Sequence, residues 1–150
     1  MSANKPSAVA DPAVQLLYQF TSACDRFDYD GLLSLFATPS KYRVQCRKNY
    51  ERDGVLHIVN DDEKELAFRC ISHPPARLEP TVHVIGNPRV ERADGECQVT
   101  ATFAIDRNGV PTFSGEYRAT VDESSDRRQF TELLVILEGD SVQGTVQIPI

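Results

Sequence analysis

The chain has 150 residues, 41% of them hydrophobic and 25% charged, which is enough for one globular domain with its own core. Its net charge of −6 argues against nucleic acid as a general partner, because phosphate binding needs a basic surface. No apolar run approaches the roughly 20 residues that span a bilayer, and no secretory signal pattern opens the chain. We therefore expect a cytoplasmic protein with a flexible N-terminal tail at residues 1–11 and a single domain at residues 12–150.

The helical signal lies in the first half of the chain. Periodic apolar residues predict three helices, at residues 12–27, 28–36 and 62–72. Asp11 is a typical N-cap for the first helix, with Pro12 at its first position. Pro39 should close the second helix. Asp62 with Glu65 forms the capping-box pattern that begins the third.

Elsewhere the apolar period changes to two, which is typical of half-buried strands. Seven strands are predicted, at residues 41–50, 54–59, 81–90, 97–105, 112–121, 130–137 and 141–148. Gly86-Asn87-Pro88 should interrupt the third strand, Asn108-Gly109 predicts a tight hairpin, and Gly115 indicates a bulge or bend. Leu133–Leu137 is apolar on both faces, so this strand should be central.

Helices followed by a long antiparallel meander predict the α+β fold class. A strongly curved, cone-shaped antiparallel sheet that packs on the N-terminal helices fits these elements. Such a cone would leave a pocket between its sheet and its helices.

The residue types that build metal and nucleotide sites are present but not grouped. The four cysteines are widely spaced and form no Cys-x-x-Cys pair, which indicates buried free thiols. A mononuclear iron site needs two histidines and a carboxylate, and His57, His73 and His83 show no close spacing, although convergence in the folded chain stays open. No Cys-x-His pair indicates a Rieske cluster, and no Gly-rich phosphate loop occurs. We therefore assign no catalytic, cofactor-binding or metal-binding residue to this chain.

His83 lies in the middle of an apolar strand, at residues 81–90. Such a histidine typically donates a ring N–H to a nearby acceptor, within the chain or across a subunit contact. The alternative is acid–base chemistry in the concavity of the sheet. In that case Tyr18 would point inward, and Asp106, Asp122 or His83 would be the base.

Residues 41–52 hold five basic residues and one acidic residue, a net charge of +4 within an acidic chain. We interpret this basic segment as a contact surface for an acidic partner. The alternative is a solvated strand face.

Five stretches, in order along the chain, resemble the small (β) subunit of aromatic-ring-hydroxylating Rieske dioxygenases. They are Asp28–Phe36, Tyr42–Asn49, His83–Val90, Phe113–Tyr117 and Val146–Ile150. The third stretch is similar to the family's segment of histidine, asparagine, arginine and valine, although Val82 stands where the family often has arginine. The last two resemble the shorter members, which act on aromatic carboxylates.

This resemblance implies a cystatin-like fold, also described as nuclear-transport-factor-two-like, which ketosteroid isomerase and scytalone dehydratase share. It implies that the chain is not catalytic and that a large (α) partner subunit holds the Rieske [2Fe-2S] cluster and a mononuclear iron. Three α and three β chains would form a heterohexamer, with electrons supplied by a separate reductase or ferredoxin. The candidate interface residues are Arg43, Arg47, Asn49, Tyr50 and His83.

We thus expect a β subunit that stabilises the assembly of an aromatic ring hydroxylase, an oxidoreductase of aromatic hydrocarbon catabolism acting on an aromatic carboxylate. The alternative is a stand-alone protein of the same fold, either a small isomerase or dehydratase or a ligand-binding protein. The enzyme would need a buried acid and a convergent tyrosine in a closed pocket, whereas the subunit would need large apolar surfaces.

Overall fold

A computed structural model describes residues 10–73, 78–139, 146 and 148–150. Within these residues, four helices and six strands follow one another along the chain: α1 (Pro12–Arg26), α2 (Tyr29–Ser34), β1 (Phe36–Cys46), α3 (Arg47–Glu51), β2 (Val59–Asp62), α4 (Glu63–Ile71), β3 (Thr81–Ala93), β4 (Glu96–Arg107), β5 (Val110–Asp122) and β6 (Gln129–Leu137). The predicted α+β class is confirmed. Most of the last predicted strand and most of the predicted N-terminal tail lie outside the described residues.

The six strands form one sheet in the order β2-β1-β6-β5-β4-β3. Four of the five strand pairs are antiparallel, but β1 and β6 are parallel, with Val44 opposite Val135. The expected antiparallel meander is therefore interrupted at one pair, which the long connection from β1 to β6 makes possible. The prediction that the strand at Leu133–Leu137 is central is confirmed, because all five of its residues are buried.

Local capping explains where two helices begin, as predicted. The Asp11 carboxylate accepts a hydrogen bond of 2.9 Å from the backbone N–H of Ala13 at the start of α1. At the start of α4, Asp62 accepts from the N–H of Glu65, and the Glu65 side chain accepts from the N–H of Asp62. Both caps satisfy backbone donors that have no partner inside the helix.

The boundaries differ from the predictions where strand pairing overrides local pattern. The predicted second helix ends at Ser34, and Phe36 instead begins β1 by pairing with Phe130. Pro39 therefore lies within β1, where the register shifts, and does not close a helix.

The predicted strand over residues 41–50 also ends early, at Cys46, because the chain turns into α3. Gln45 stabilises this turn by donating to the Gly54 carbonyl oxygen at 2.8 Å. The predicted strand at residues 54–59 is displaced to Val59–Asp62, where it forms an edge of the sheet.

Tight turns and one irregularity follow the predicted pattern. Asn108 and Gly109 have φ values of 52° and 77°, which confirms the hairpin between β4 and β5. A second turn of this kind, at Asp94-Gly95, joins β3 and β4 and was not predicted. The predicted interruption in β3 is confirmed, since its register with β4 shifts between Gly86 and Arg89.

The core lies between α1 and the inner face of the sheet. Phe20 of α1 is fully buried at its centre, and its ring centroid lies 6.1–6.2 Å from four other aromatic rings, those of Phe36, Tyr42, Tyr117 and Phe130. Their tilted and edge-on contacts are the arrangements that aromatic quadrupoles favour. All four cysteines are buried free thiols, as predicted. No helix within the described ranges is long and apolar enough to cross a membrane.

Gly115 is required by a close approach of two strands. It pairs in regular register with Phe103 and Leu137, so of the two predicted alternatives, a bulge or a bend, the bulge is wrong. A Cβ atom at this position would lie 1.8 Å from the backbone carbonyl oxygen of Ile136 on β6. Only a residue without a side chain lets β5 and β6 pack this closely.

Gly115→Ala should therefore lower the free energy of unfolding by at least about 2 kcal/mol, because backbone must move to admit the methyl group. Urea denaturation followed by circular dichroism measures this change. Ser114→Ala, on the exposed face of the same strand, is the matched control and should change stability by less than about 0.5 kcal/mol. Equal urea midpoints for the two variants would contradict the close approach.

Candidate functional site

The last turn of α1 is joined to the edge strand β3 by one carboxylate. Asp25 Oδ1 lies 2.5 Å from Nδ1 of His83 and accepts a hydrogen bond of 3.0 Å from the Thr81 hydroxyl. Asp25 Oδ2 accepts from the backbone N–H of His83 at 2.9 Å. The carboxylate thus makes three charge-assisted contacts with β3, which are stronger than hydrogen bonds between neutral groups.

This contact also protects the end of the sheet. An edge strand exposes backbone N–H groups that have no neighbouring strand, and such groups can pair with another chain. Asp25 accepts the N–H of His83, and so covers β3 at that position.

The His83 ring is enclosed and uncharged. Its side chain is 1% exposed, and this burial lowers the pKa of His83 below its ordinary value of 6.5, while Asp25 beside it partly offsets that effect. A neutral ring that donates Nδ1–H to Asp25 presents Nε2 as a hydrogen-bond acceptor. Within the described part of the chain, this buried Nε2 atom has no hydrogen-bond partner.

A tyrosine hydroxyl is enclosed in the same core. Tyr117 of β5 is fully buried, with its ring stacked at 4.3 Å on Phe103, and its hydroxyl has no partner among the residues described. Burial raises the pKa of Tyr117 well above 10, and nearby Cys24, Tyr42 and Asp25 raise it further. This phenol is therefore neutral and able to donate a hydrogen bond.

The arrangement contains the parts of an acid–base site. A histidine whose Nδ1 is held by a carboxylate can accept a proton at Nε2, as general bases do. Reaction would require a substrate to reach Nε2, yet the atom is enclosed by the packed core. In the observed conformation the pair joins α1 to β3.

The other residues suggested for acid–base chemistry do not join this site. Tyr18 is exposed and does not point inward, and Asp106 and Asp122 are exposed at strand ends. The residue that sequence reasoning missed is Asp25. The sequence could have identified it, since Asp25 lies four positions after the buried Thr21 and therefore on the same inward face of α1.

Two of the predicted interface residues are already paired within the chain. Arg43 forms an ion pair with Glu132 of β6. Arg47 contacts Glu138 at 2.8 Å, and this hydrogen bond raises its pKa. Two of the five basic residues of the segment are thus paired with acids on or just after β6, and reversing either charge would disturb the domain itself.

The remaining three predicted interface residues lie in two separate places. The Asn49 carboxamide is 2.6 Å from Gln45 Nε2, and the Tyr50 ring lies beneath the guanidinium of Arg118 at 5.4 Å. His83 lies at the opposite edge of the sheet from α3 and β1, on the inner face. The five predicted interface residues therefore do not lie on one surface.

The other histidines make local contacts with backbone. His57 Nδ1 lies 2.9 Å from the Val55 carbonyl oxygen, and His73 Nδ1 lies 2.8 Å from that of Arg69. Across residues 10–73, 78–139, 146 and 148–150, no three His, Cys, Asp or Glu side chains converge in a way that could hold a metal ion.

Comparison with known proteins gives similarity in structure but not in sequence. No protein-family model matches the chain, and no curated protein sequence matches it. The structure is similar to the β subunit of a proposed aromatic-ring-hydroxylating dioxygenase from Novosphingobium aromaticivorans, with a TM-score of 0.77 and 15% identity over 87% of this chain and 90% of that one.

Two further structures show how broad this similarity is. The β subunit of benzoate 1,2-dioxygenase from Burkholderia mallei has a TM-score of 0.65 and 19% identity, over 86% of this chain and 91% of that one. A proposed scytalone dehydratase from Novosphingobium aromaticivorans also has a TM-score of 0.65, with 12% identity over 89% and 87% of the two chains. At these identities the comparisons show the fold, a curved sheet with N-terminal helices that dioxygenase β subunits and dehydratase-like proteins share.

The burial of His83 predicts the pH dependence of stability. Because its pKa is lower in the folded chain than the ordinary 6.5, the unfolded chain binds more protons as the pH falls below about 6.5. The contribution of neutral His83 should be complete above that pH and should decline below it. Urea unfolding at several values between about pH 7.5 and pH 5 measures this slope.

His83→Gln should flatten this part of the slope, whereas His57→Gln, at a partly exposed loop position, should leave it unchanged. The opposite result is a free energy of unfolding that rises on acidification and depends on His83. It would show that the ion pair with Asp25 raises the pKa of His83 more than burial lowers it.

Proposed function

We propose that this chain is a non-catalytic β subunit of a Rieske non-haem iron aromatic ring hydroxylase. Its structural similarity to dioxygenase β subunits supports the fold this requires. The observation that carries the proposal is a concentration of exposed apolar side chains beside β2. A free-standing protein would leave these side chains in water, whereas an assembled subunit would cover them.

The apolar side chains lie on both sides of β2 in the sequence. Val55 and Leu56 are 89% and 75% exposed before the strand, and Phe68 and Ile71 on α4 are 73% and 78% exposed after it. Together with Ile58, they are five of the nine large hydrophobic residues exposed in the described part of the chain. The remainder of the domain has a well-packed core, so this exposure is not a sign of poor folding.

The Asp25–His83 contact fits the same proposal. A histidine enclosed by packing and joined to a carboxylate stabilises the edge of the sheet without needing access to a substrate. His83 is then a framework residue, and the chemistry takes place in another chain.

In the proposed assembly, the large (α) subunit holds the Rieske [2Fe-2S] cluster and the mononuclear iron. Three α and three β chains form the heterohexamer, and a separate reductase or ferredoxin supplies electrons. The substrate is an aromatic compound, for which we propose an aromatic carboxylate from the resemblance to shorter β subunits. A large subunit seated on the apolar residues would lie next to α3, which carries Arg47, Asn49 and Tyr50.

We expect Leu56→Glu with Phe68→Glu to weaken association with an α-type chain of a ring hydroxylase by at least about tenfold, because each substitution places a charge in a desolvated contact. Co-expression followed by affinity purification and light scattering measures the mass of the complex. The domain should stay folded, since both side chains are exposed.

Val110→Glu is the matched control, because Val110 is also exposed and apolar but lies at the hairpin between β4 and β5. Its complex should keep the mass of the unmodified complex. A stable monomer that ignores the α-type chain, or equal loss of binding in Val110→Glu, would contradict the proposed contact.

The second candidate is a stand-alone isomerase or dehydratase. The specific observation in its favour is the Asp25–His83 pair with the neutral Tyr117 hydroxyl in the same core, on a fold that a dehydratase-like protein shares. Such groups could move a proton next to a carbonyl if the core opened to a substrate.

Deuterium exchange next to the carbonyl of a small aromatic ketone, followed by NMR, separates the two candidates. Under the subunit proposal, the purified chain should not exceed the exchange rate of the buffer. Exchange that is lost in His83→Gln and reduced in Tyr117→Phe would establish the enzyme instead.

A further inference from the structure

A groove runs along the outer side of α1, away from the Asp25–His83 pair. Two adjoining cavities form it, with volumes of about 520 Å³ and 270 Å³. Both cavities are lined by Gln19 of α1 and by Ser34 and Leu35 at the end of α2, so they form one continuous groove along the helix.

Arginines line both cavities of this groove. Arg26 lines the first cavity at the last turn of α1, and Arg127 and Arg128 line the second. The acid that lines the groove, Asp28, is already used as the N-cap of α2, where it accepts from the Gly31 N–H at 3.0 Å. Arginines in both cavities are notable in a chain whose net charge is −6.

Two of these arginines have capacity for a further acceptor. Arg128 is paired with Glu123 at 2.9 Å. Arg127 donates through Nη2 to the Ser34 carbonyl oxygen, which leaves its remaining donors for another group. Arg26 has no hydrogen-bond or ion-pair partner anywhere in the described ranges, although its position also complements the helix dipole.

The middle of the groove suits the backbone and side chains of a peptide. Gln19 and Ser22 offer amide and hydroxyl groups, while Tyr18 and Leu35 offer apolar surface. Arg127 Nη2 lies 3.0 Å from the carbonyl oxygen of Ser34, which together with Gln19 lines both cavities. From Gln19 to Arg26 the helix rises about 10 Å, at about 1.5 Å per residue. An extended peptide covers that length in about three residues.

From this match of length and charge, we propose that the α1 groove binds an extended acidic segment of a partner protein, with two carboxylates about three residues apart. One carboxylate pairs with Arg26 and the other with Arg127, and an apolar side chain between them packs on Tyr18 and Leu35. Arginine suits this role because its planar fork binds a carboxylate through two donors. The groove is distinct from the apolar residues beside β2, so the inference stands whether or not the chain is a dioxygenase subunit.

The test uses the full chain and a fluorescein-labelled heptapeptide with glutamate at its second and fifth positions, a central leucine and serine elsewhere. Fluorescence anisotropy should show saturable binding that weakens as salt rises from about 50 mM to about 500 mM, because exposed charges are screened. A peptide with glutamine in place of both glutamates, and one with adjacent glutamates, should bind at least about threefold more weakly.

Arg26→Gln and Arg127→Gln should each weaken binding about threefold, and the double variant about tenfold. Arg89→Gln is the matched control, since Arg89 is an exposed arginine on β3, and it should bind like the unmodified chain. Circular dichroism checks that the variants are folded, and the salt dependence of the unmodified chain tests the charge contribution without any substitution.

Three outcomes would overturn the proposal: equal binding of the glutamine peptide, an equal loss in Arg89→Gln, or no saturable binding of any of the peptides. Sedimentation tests whether the chain associates with itself as its concentration rises. Self-association that disappears in Arg26→Gln would also overturn the proposal, because the groove would then bind a second copy of this chain.

Discussion

The Phe20 ring, in the middle of α1, packs among aromatic rings from β1, β5 and β6 and so sets the position of the helix on the sheet. The orientation of α1 has two consequences on its opposite sides. Its last turn brings Asp25 against β3, and its outer side forms the groove between Arg26 and Arg127. A helix shifted by one turn, about 5.4 Å, would lose both features, because Asp25 and the residues of α1 that line the groove would move with it.

The Asp25–His83 contact shows how one geometry can serve two kinds of protein. A partly buried carboxylate loses some of its hydration and needs other donors, and Thr81 together with the backbone and ring of His83 supplies three to Asp25. In a structural subunit this arrangement closes the sheet edge. In an enzyme of the same fold, the same two residues would orient a base. What separates the two roles is access to Nε2, which the packed core denies in the observed conformation.

The surface divides into regions with different physical character. The residues beside β2 are apolar and exposed, whereas two of the five basic residues in the segment that precedes them are paired with Glu132 and Glu138. The predicted basic contact surface is therefore weaker in charge than the sequence implied, which is why the proposed assembly rests on the apolar residues. The α1 groove adds a third region, in which Arg26 keeps its charge available.

The sequence by itself determined the features that depend on residues close along the chain. The caps at Asp11 and Asp62, the Asn108-Gly109 turn and the central strand at Leu133–Leu137 were predictable because each is specified by a few adjacent residues. Only the tertiary structure decided that β1 lies parallel to β6, that Gly115 marks a close approach of strands and not a bulge, and that Asp25 meets His83, 58 residues away. The physical reason is that a period of two or 3.6 residues shows which face is buried, but not which distant element covers it.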